Sequence, residues 1–182
     1  MLKATATGLV AMIAGAATPE VWPMDRDLYR GNYRVAVEML YLDVDFLSRF
    51  GFELPMFPQG VQDVYYNDLV VTYLSGQGCT AFRTLSTEWH PYTLQGIVSG
   101  LEAIKATGTS DIVRRVYGSH DASADEKCSR DLKLIQSAEN IQAMNEELLW
   151  SSPSFAWTGK DERDATLELL LERSMLQKDR RQ

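Results

Sequence analysis

Apolar residues recur along most of this chain at intervals of three and four, the spacing that gathers them on one face of an α-helix. Between Arg34 and Phe50, Val37, Leu40, Tyr41, Val44 and Leu47 share such a face, with Gly51 as the stop. Arg34/Glu38 and Asp45/Arg49 are i,i+4 charge pairs on the opposite, solvated side. A connector with Pro55 and Pro58 leads into "VYYNDLVVTYLSGQG" (64–78), which reads as a core helix. Val61, Val64, Tyr65, Leu69, Thr72 and Tyr73 fall to one side of it, Asp63 and Asp68 to the other, and Gly76 and Gly78 end it.

His90-Pro91 opens the next helix, because proline at the first turn lacks only an N–H that has no partner there. Its stripe is Leu94, Ile97, Val98, Leu101 and Ile104, broken by Gly108. Thr109 or Ser110 then caps a short helix carrying Ile112, Val113 and Val116, closed by Gly118. Ser123 and Glu126 form a capping box for a helix that the pattern carries through Ile135, Ile141 and Leu148 to Trp150. "SSPSFAWTG" reads as a loop, and Asp161 opens a last helix around Leu167, Leu170 and Leu171. The expectation is an all-α, single compact multi-helix domain of six to eight helices, with no internal repeat.

Composition adds a charge argument. The chain has 182 residues, 45% of them hydrophobic, enough for a sizeable core. Residues 1–172 hold 24 acids against 14 bases, a net of −10, while 173–182 are basic. Such a body repels nucleic acid and attracts basic partners, so direct DNA or RNA binding is excluded from the expectation. From Val35 to Leu69, Glu38, Asp43, Asp45, Glu53, Asp63 and Asp68 stand against Arg49 alone.

Cys79 and Cys128 could pair, but nothing in their spacing suggests a disulfide framework or a zinc site, so the favoured reading is two free thiols in a reducing compartment. Residues 1–20 read as an Ala-rich N-terminal helix on a cytoplasmic protein, residues 21–182 as the acidic helical domain. The alternative reading of residues 1–17 is a weak signal whose removal places the chain in the periplasm. No run reaches the 18 or so apolar residues of a membrane span.

Candidate chemistry is sparse. His90 abuts Pro91 and His120 lies in a Gly-Ser-His-Asp turn, and neither belongs to a recognised ligand or triad spacing. The carboxylate groups Asp43/Asp45, Glu146/Glu147 and Asp161/Glu162/Asp164 sit where helix starts and solvated faces favour acids, so no metal and no cofactor are expected. Trp157 in "SFAWTG" is the best candidate for an exposed contact aromatic.

Residues 61–175 resemble a bacterial domain family whose signature is an acid, a hydrophobe, an Asn-Asn-Gly-Gly-Phe element, a later aromatic and a glycine-bearing turn. Asp63 and Val64 match its opening, Leu69 the phenylalanine position, Tyr73 the aromatic and Ser75-Gly76-Gln77-Gly78 the turn. Tyr65-Tyr66-Asn67-Asp68 replaces the Asn-Asn-Gly-Gly core. Residues 94–117 are similar to the family's next helix pair, and the segments around "NEELLW" and "FAWTGKDERDATLELLLERSM" to its closing loop and last helix. The resemblance implies an acidic, all-helical homodimer that mimics DNA and occupies a DNA-binding protein, or an immunity protein beside a toxin. Independently of the family, the 35–69 charge run fits an inhibitor in which Glu38, Asp43, Asp45, Asp63 and Asp68, with Trp157, meet a basic protein partner and nothing is catalysed. An enzyme of unknown class is the third reading.

Overall fold

The computed structural model describes residues 20–29, 31–50, 52–136 and 138–179. The expected N-terminal helix, the stop at Gly51 and the last basic residues of the tail lie outside them. Among the described residues there are eight helices and one short two-stranded sheet, so the fold is all-α as its periodicity predicts. Helix α1 is Tyr33–Ser48, α2 Gln59–Leu69 and α3 Cys79–Ser86. They are followed by α4 Pro91–Ala103, α5 Thr107–Val116, α6 Ser123–Ile135, α7 Ile141–Ser151 and α8 Lys160–Asp179. The strands are β1 Trp22–Asp25 and β2 Phe155–Thr158. The chain divides into two compact units, residues 1–61 with 152–182, and residues 62–151.

The first unit is built on β1 and β2, which pair in parallel with Trp22 opposite Phe155 and Asp25 opposite Thr158. The segment read as a loop therefore contains a strand. Its pattern is hard to see because the strand is only four residues long, set between Pro153 and Gly159. Trp22 is buried against Phe57, with ring centroids 5.0 Å apart. Asp25 accepts from the Asp27 amide at 2.9 Å and so starts the single helical turn Arg26–Tyr29. Helix α1 buries the face read from its spacing, Val37, Leu40, Val44 and Leu47, and adds Tyr33, Ala36 and Asp43 to it. Asn32 caps its start by accepting from the Val35 amide.

In the second unit, α2 continues past Leu69 as a π-helical stretch, Val70–Ser75, before Gly78 turns the chain into α3 at φ +90. A side chain other than glycine is strained there, which explains the second glycine of the quoted run. The expected solvated side of α2 does not exist. Asp63, Val64, Tyr66, Asn67, Asp68 and Val70 are all buried, because the helix is covered nearly all round. Its polar residues are held inside. Asn67 donates to the Gly100 carbonyl at 3.0 Å and to Asn145 Oδ1 at 3.1 Å, and Asn145 donates to the Val64 carbonyl. The α2–α4 approach is close enough that a Cβ on Gly96 would lie 2.1 Å from the Tyr66 ring.

Helix α4 begins at Pro91, behind His90, as expected, but it ends at Ala103, with the chain turning at Lys105 (φ +61), rather than at Gly108. Gly108 lies in the first turn of α5, where the Glu139 carboxylate accepts from the Gly108 and Thr109 amides at 2.8 Å each. The cap thus comes from thirty residues downstream, not from Thr109 or Ser110. The Ser123–Glu126 capping box is likewise not formed; Asp121 accepts from the Ser123 amide and hydroxyl instead. The long helix to Trp150 is two helices, because Asn140 caps a fresh start by accepting from the Ala143 amide.

Candidate binding surface

The six residues expected to meet a partner do not share one face. Glu38 and Asp45 lie exposed on α1, paired with Arg34 at 3.9 Å and Arg49 at 2.6 Å. Beside them α1 displays Leu42, 59% exposed, and Phe46, 44% exposed, with Phe50 edge-on to Phe46 at 5.3 Å. These positions, 38, 42, 45, 46 and 49, recur at helical spacing. Leu42 and Phe46 make an apolar strip beside the two charge pairs.

Asp43 points the other way. It is 7% exposed and takes Arg163 Nη2 of α8 at 2.5 Å. Burial pushes its carboxyl above the ordinary range, and Arg163 beside it offsets only part of that rise. Asp63 and Asp68, each 6% exposed, belong to the second unit, buried on α2. Trp157 is half-buried in β2, where its carbonyl accepts from Arg26 at 2.7 Å. Three of the five expected carboxylates are therefore interior groups. Helical spacing misassigned them because burial depends on elements distant in sequence, as with Asp43, whose partner Arg163 lies 120 residues on.

The net charge also lies elsewhere than the 35–69 run suggests. Residues 62–151 hold twelve acids against seven bases, and the remainder thirteen against eleven. The second unit carries most of the acidity.

That unit also holds the largest departure from expectation. Cys79 at the start of α3 and Cys128 on α6 form a disulfide across 49 residues of sequence, so they are not free thiols. A second link runs alongside. Arg83 Nε, one turn after Cys79, meets Asp125 Oδ1 at 2.8 Å, and Asp125 lies one turn before Cys128. The hydrogen bond from Arg83 holds the Asp125 carboxyl below its ordinary range. Both links join the same two helices. Neither link is legible along the chain, because both depend on the α3–α6 crossing.

His90 is occupied structurally. Its Nδ1 accepts from the Tyr92 amide at 3.4 Å, its ring lies on Tyr92 at 3.8 Å, and its carbonyl takes the Tyr117 hydroxyl. Among the described residues no cluster of His, Cys, Asp and Glu is arranged to hold a metal ion, and no helix is long and apolar enough to cross a membrane. Comparison with protein-family models, with curated proteins and with solved structures finds no match to this chain.

Proposed function

We propose that this chain is a non-catalytic binding protein that occludes a basic protein partner through the outer face of α1. The observation that carries this reading is the exposure of Leu42 and Phe46 on α1, alongside Glu38 and Asp45. An apolar, aromatic-bearing centre with a charged rim is the composition of a protein-binding patch. The acidic balance of the chain supplies long-range attraction toward a basic surface.

Two partners come with the family resemblance. A DNA-binding protein would be held by carboxylates that imitate phosphates. Of that set, Glu38 and Asp45 remain at the surface, each beside an arginine, while Asp43, Asp63 and Asp68 are buried. A toxin would be held by an immunity protein through shape and apolar contact, with no row of free carboxylates required. The Cys79–Cys128 bond favours an oxidising compartment such as the periplasm over the cytoplasm, and so favours the toxin reading. We rank the immunity role first and DNA mimicry second.

Titration calorimetry against the product of a toxin gene, if one is found beside the gene for this chain, with Leu42→Asp/Phe46→Asp as the test variant, decides it. We expect stoichiometric inhibition without turnover. The double substitution should weaken binding by about thirtyfold or more, equivalent to roughly 2 kcal/mol at an interface centre. Leu134→Asp, an exposed apolar residue of α6, is the control and should leave binding intact. Unchanged affinity in the Leu42/Phe46 variant would refute the face. Multiple turnover of any substrate, abolished by His120→Ala, would refute the binding-protein reading itself.

A further inference from the structure

We infer that Arg163 is an acid-sensitive latch for the binding face: protonation of Asp43 passes the guanidinium to Asp164 and loosens α1 from α8. The inference rests on the α1 reading proposed above and adds how the presentation of that face is regulated. Asp43 and Arg163 are both buried, so they act as positioning residues rather than as contacts for a partner. Asp43 directly follows Leu42 and stands three residues before Phe46. What grips its carboxyl therefore sets how α1 turns those two side chains outward.

Two carboxylates share one guanidinium. Arg163 Nη2 donates to Asp43 Oδ1 at 2.5 Å, while Nη1 donates to Asp164 Oδ1 at 3.1 Å. The first contact is sealed from water, whereas the Asp164 side chain is 45% exposed. Asp43 Oδ2 is buried beside the Trp22 indole N–H, near enough to feel that donor yet outside hydrogen-bonding geometry. Three elements, α1, α8 and β1, thus meet at one carboxyl.

The same neighbours decide when the latch opens. Burial acts most strongly and disfavours the charged form of Asp43; Arg163 and the Trp22 indole favour it, and Asp164 disfavours it again. The balance makes Asp43 easier to protonate than an ordinary carboxyl. Taking up that proton stabilises the folded chain relative to the unfolded one, so acid opens the latch without unfolding the protein. Arg163 keeps its charge throughout and is then drawn to Asp164, which sits beside it on α8 and is open to water.

The test is nuclear magnetic resonance on the full oxidised chain without a partner, from neutral pH down through the carboxylate range. The Trp22 indole N–H signal should move in one step. Below that step the α1 amides should exchange faster, once the intrinsic pH dependence of exchange is removed. Asp43→Asn, uncharged at every pH, should show the faster exchange already at neutral pH and no step. Asp164→Asn should move the step to lower pH and blunt the gain in exchange, because Asp164 no longer competes for Arg163. An indole signal without a step, or α1 exchange equally slow on both sides of it, would overturn the latch. So would an Asp164→Asn profile identical to that of the unaltered chain. These readings need no partner, so their failure is separate from that of the α1 face, which the Leu42/Phe46 variant tests.

Discussion

Replacing Cys79 and Cys128 together by alanine removes a link that closes a long loop, and the size of the effect follows from that length. With a sequence separation of 49 between the two cysteines, the loop-entropy relation gives a loss of about 4 kcal/mol at 25 °C. A typical protein of this size has only about 5–15 kcal/mol in total, so the variant should be far closer to unfolding. In thermal terms the loss corresponds to a fall of about 8–16 °C in midpoint. The native helices should nevertheless persist, because Arg83 and Asp125 still join α3 to α6. Guanidinium unfolding followed by far-ultraviolet circular dichroism is the assay, run on the oxidised protein, the reduced protein and the alanine pair. The reduced protein and the alanine pair should agree with each other, and both should unfold with a steeper denaturant dependence, since an unlinked unfolded chain exposes more surface. A difference below about 1 kcal/mol between the oxidised protein and the alanine pair would refute the argument, because loop closure alone exceeds it.

Two further perturbations test the interior. Arg163→Met strands the buried Asp43 carboxylate and should destabilise the protein by about 3–5 kcal/mol, whereas Asp43→Leu/Arg163→Met should recover most of that loss. Because burial raises the Asp43 carboxyl above 3.8, the folded chain binds its proton more tightly than the unfolded chain. That contribution to stability is full below 3.8 and is lost as pH rises through the folded value; urea midpoints across acidic pH should lose this component in Asp43→Asn. Gly96→Ala drives a Cβ to 2.1 Å from the Tyr66 ring and should cost about 1–3 kcal/mol in chemical unfolding, with Ser99→Ala on the same helix as the near-neutral comparison.

The helices were legible because their apolar faces repeat locally, and α1 was read almost residue by residue. What stayed hidden depends on partners distant in sequence. Nothing near Gly108 announces that Glu139 will cap α5, so the nearest hydroxyls looked like the cap. Asp43 reads as a surface acid until Arg163, 120 residues away, is brought against it. Asp63 and Asp68 sat on what looked like the polar side of α2, but a helix enclosed by its neighbours has no polar side. The split between α6 and α7 was signalled by Asn140, a good cap residue that the continuing apolar period outweighed. Of the surface, the pairs Arg34–Glu38 and Asp45–Arg49 were readable because they lie one turn apart, and the exposed Leu42 and Phe46 beside them were not.

The parallel pairing of β1 with β2 imposes an order of events on a chain that emerges from its N-terminus. Trp22 and Met24 cannot be covered by their partner strand until Phe155–Thr158 exists, by which time all of residues 62–151 have been made. Bringing the ends of a flexible loop of that length together would cost about 4 kcal/mol in chain entropy. Much of that cost disappears if the intervening unit has already folded, since its own bond from Asn145 to the Val64 carbonyl draws its two ends together at 3.1 Å. The contiguous unit thus acts as a preassembled bridge for the split one. Slowing its oxidation should delay the arrival of β2 at β1, even though neither cysteine lies in the strands.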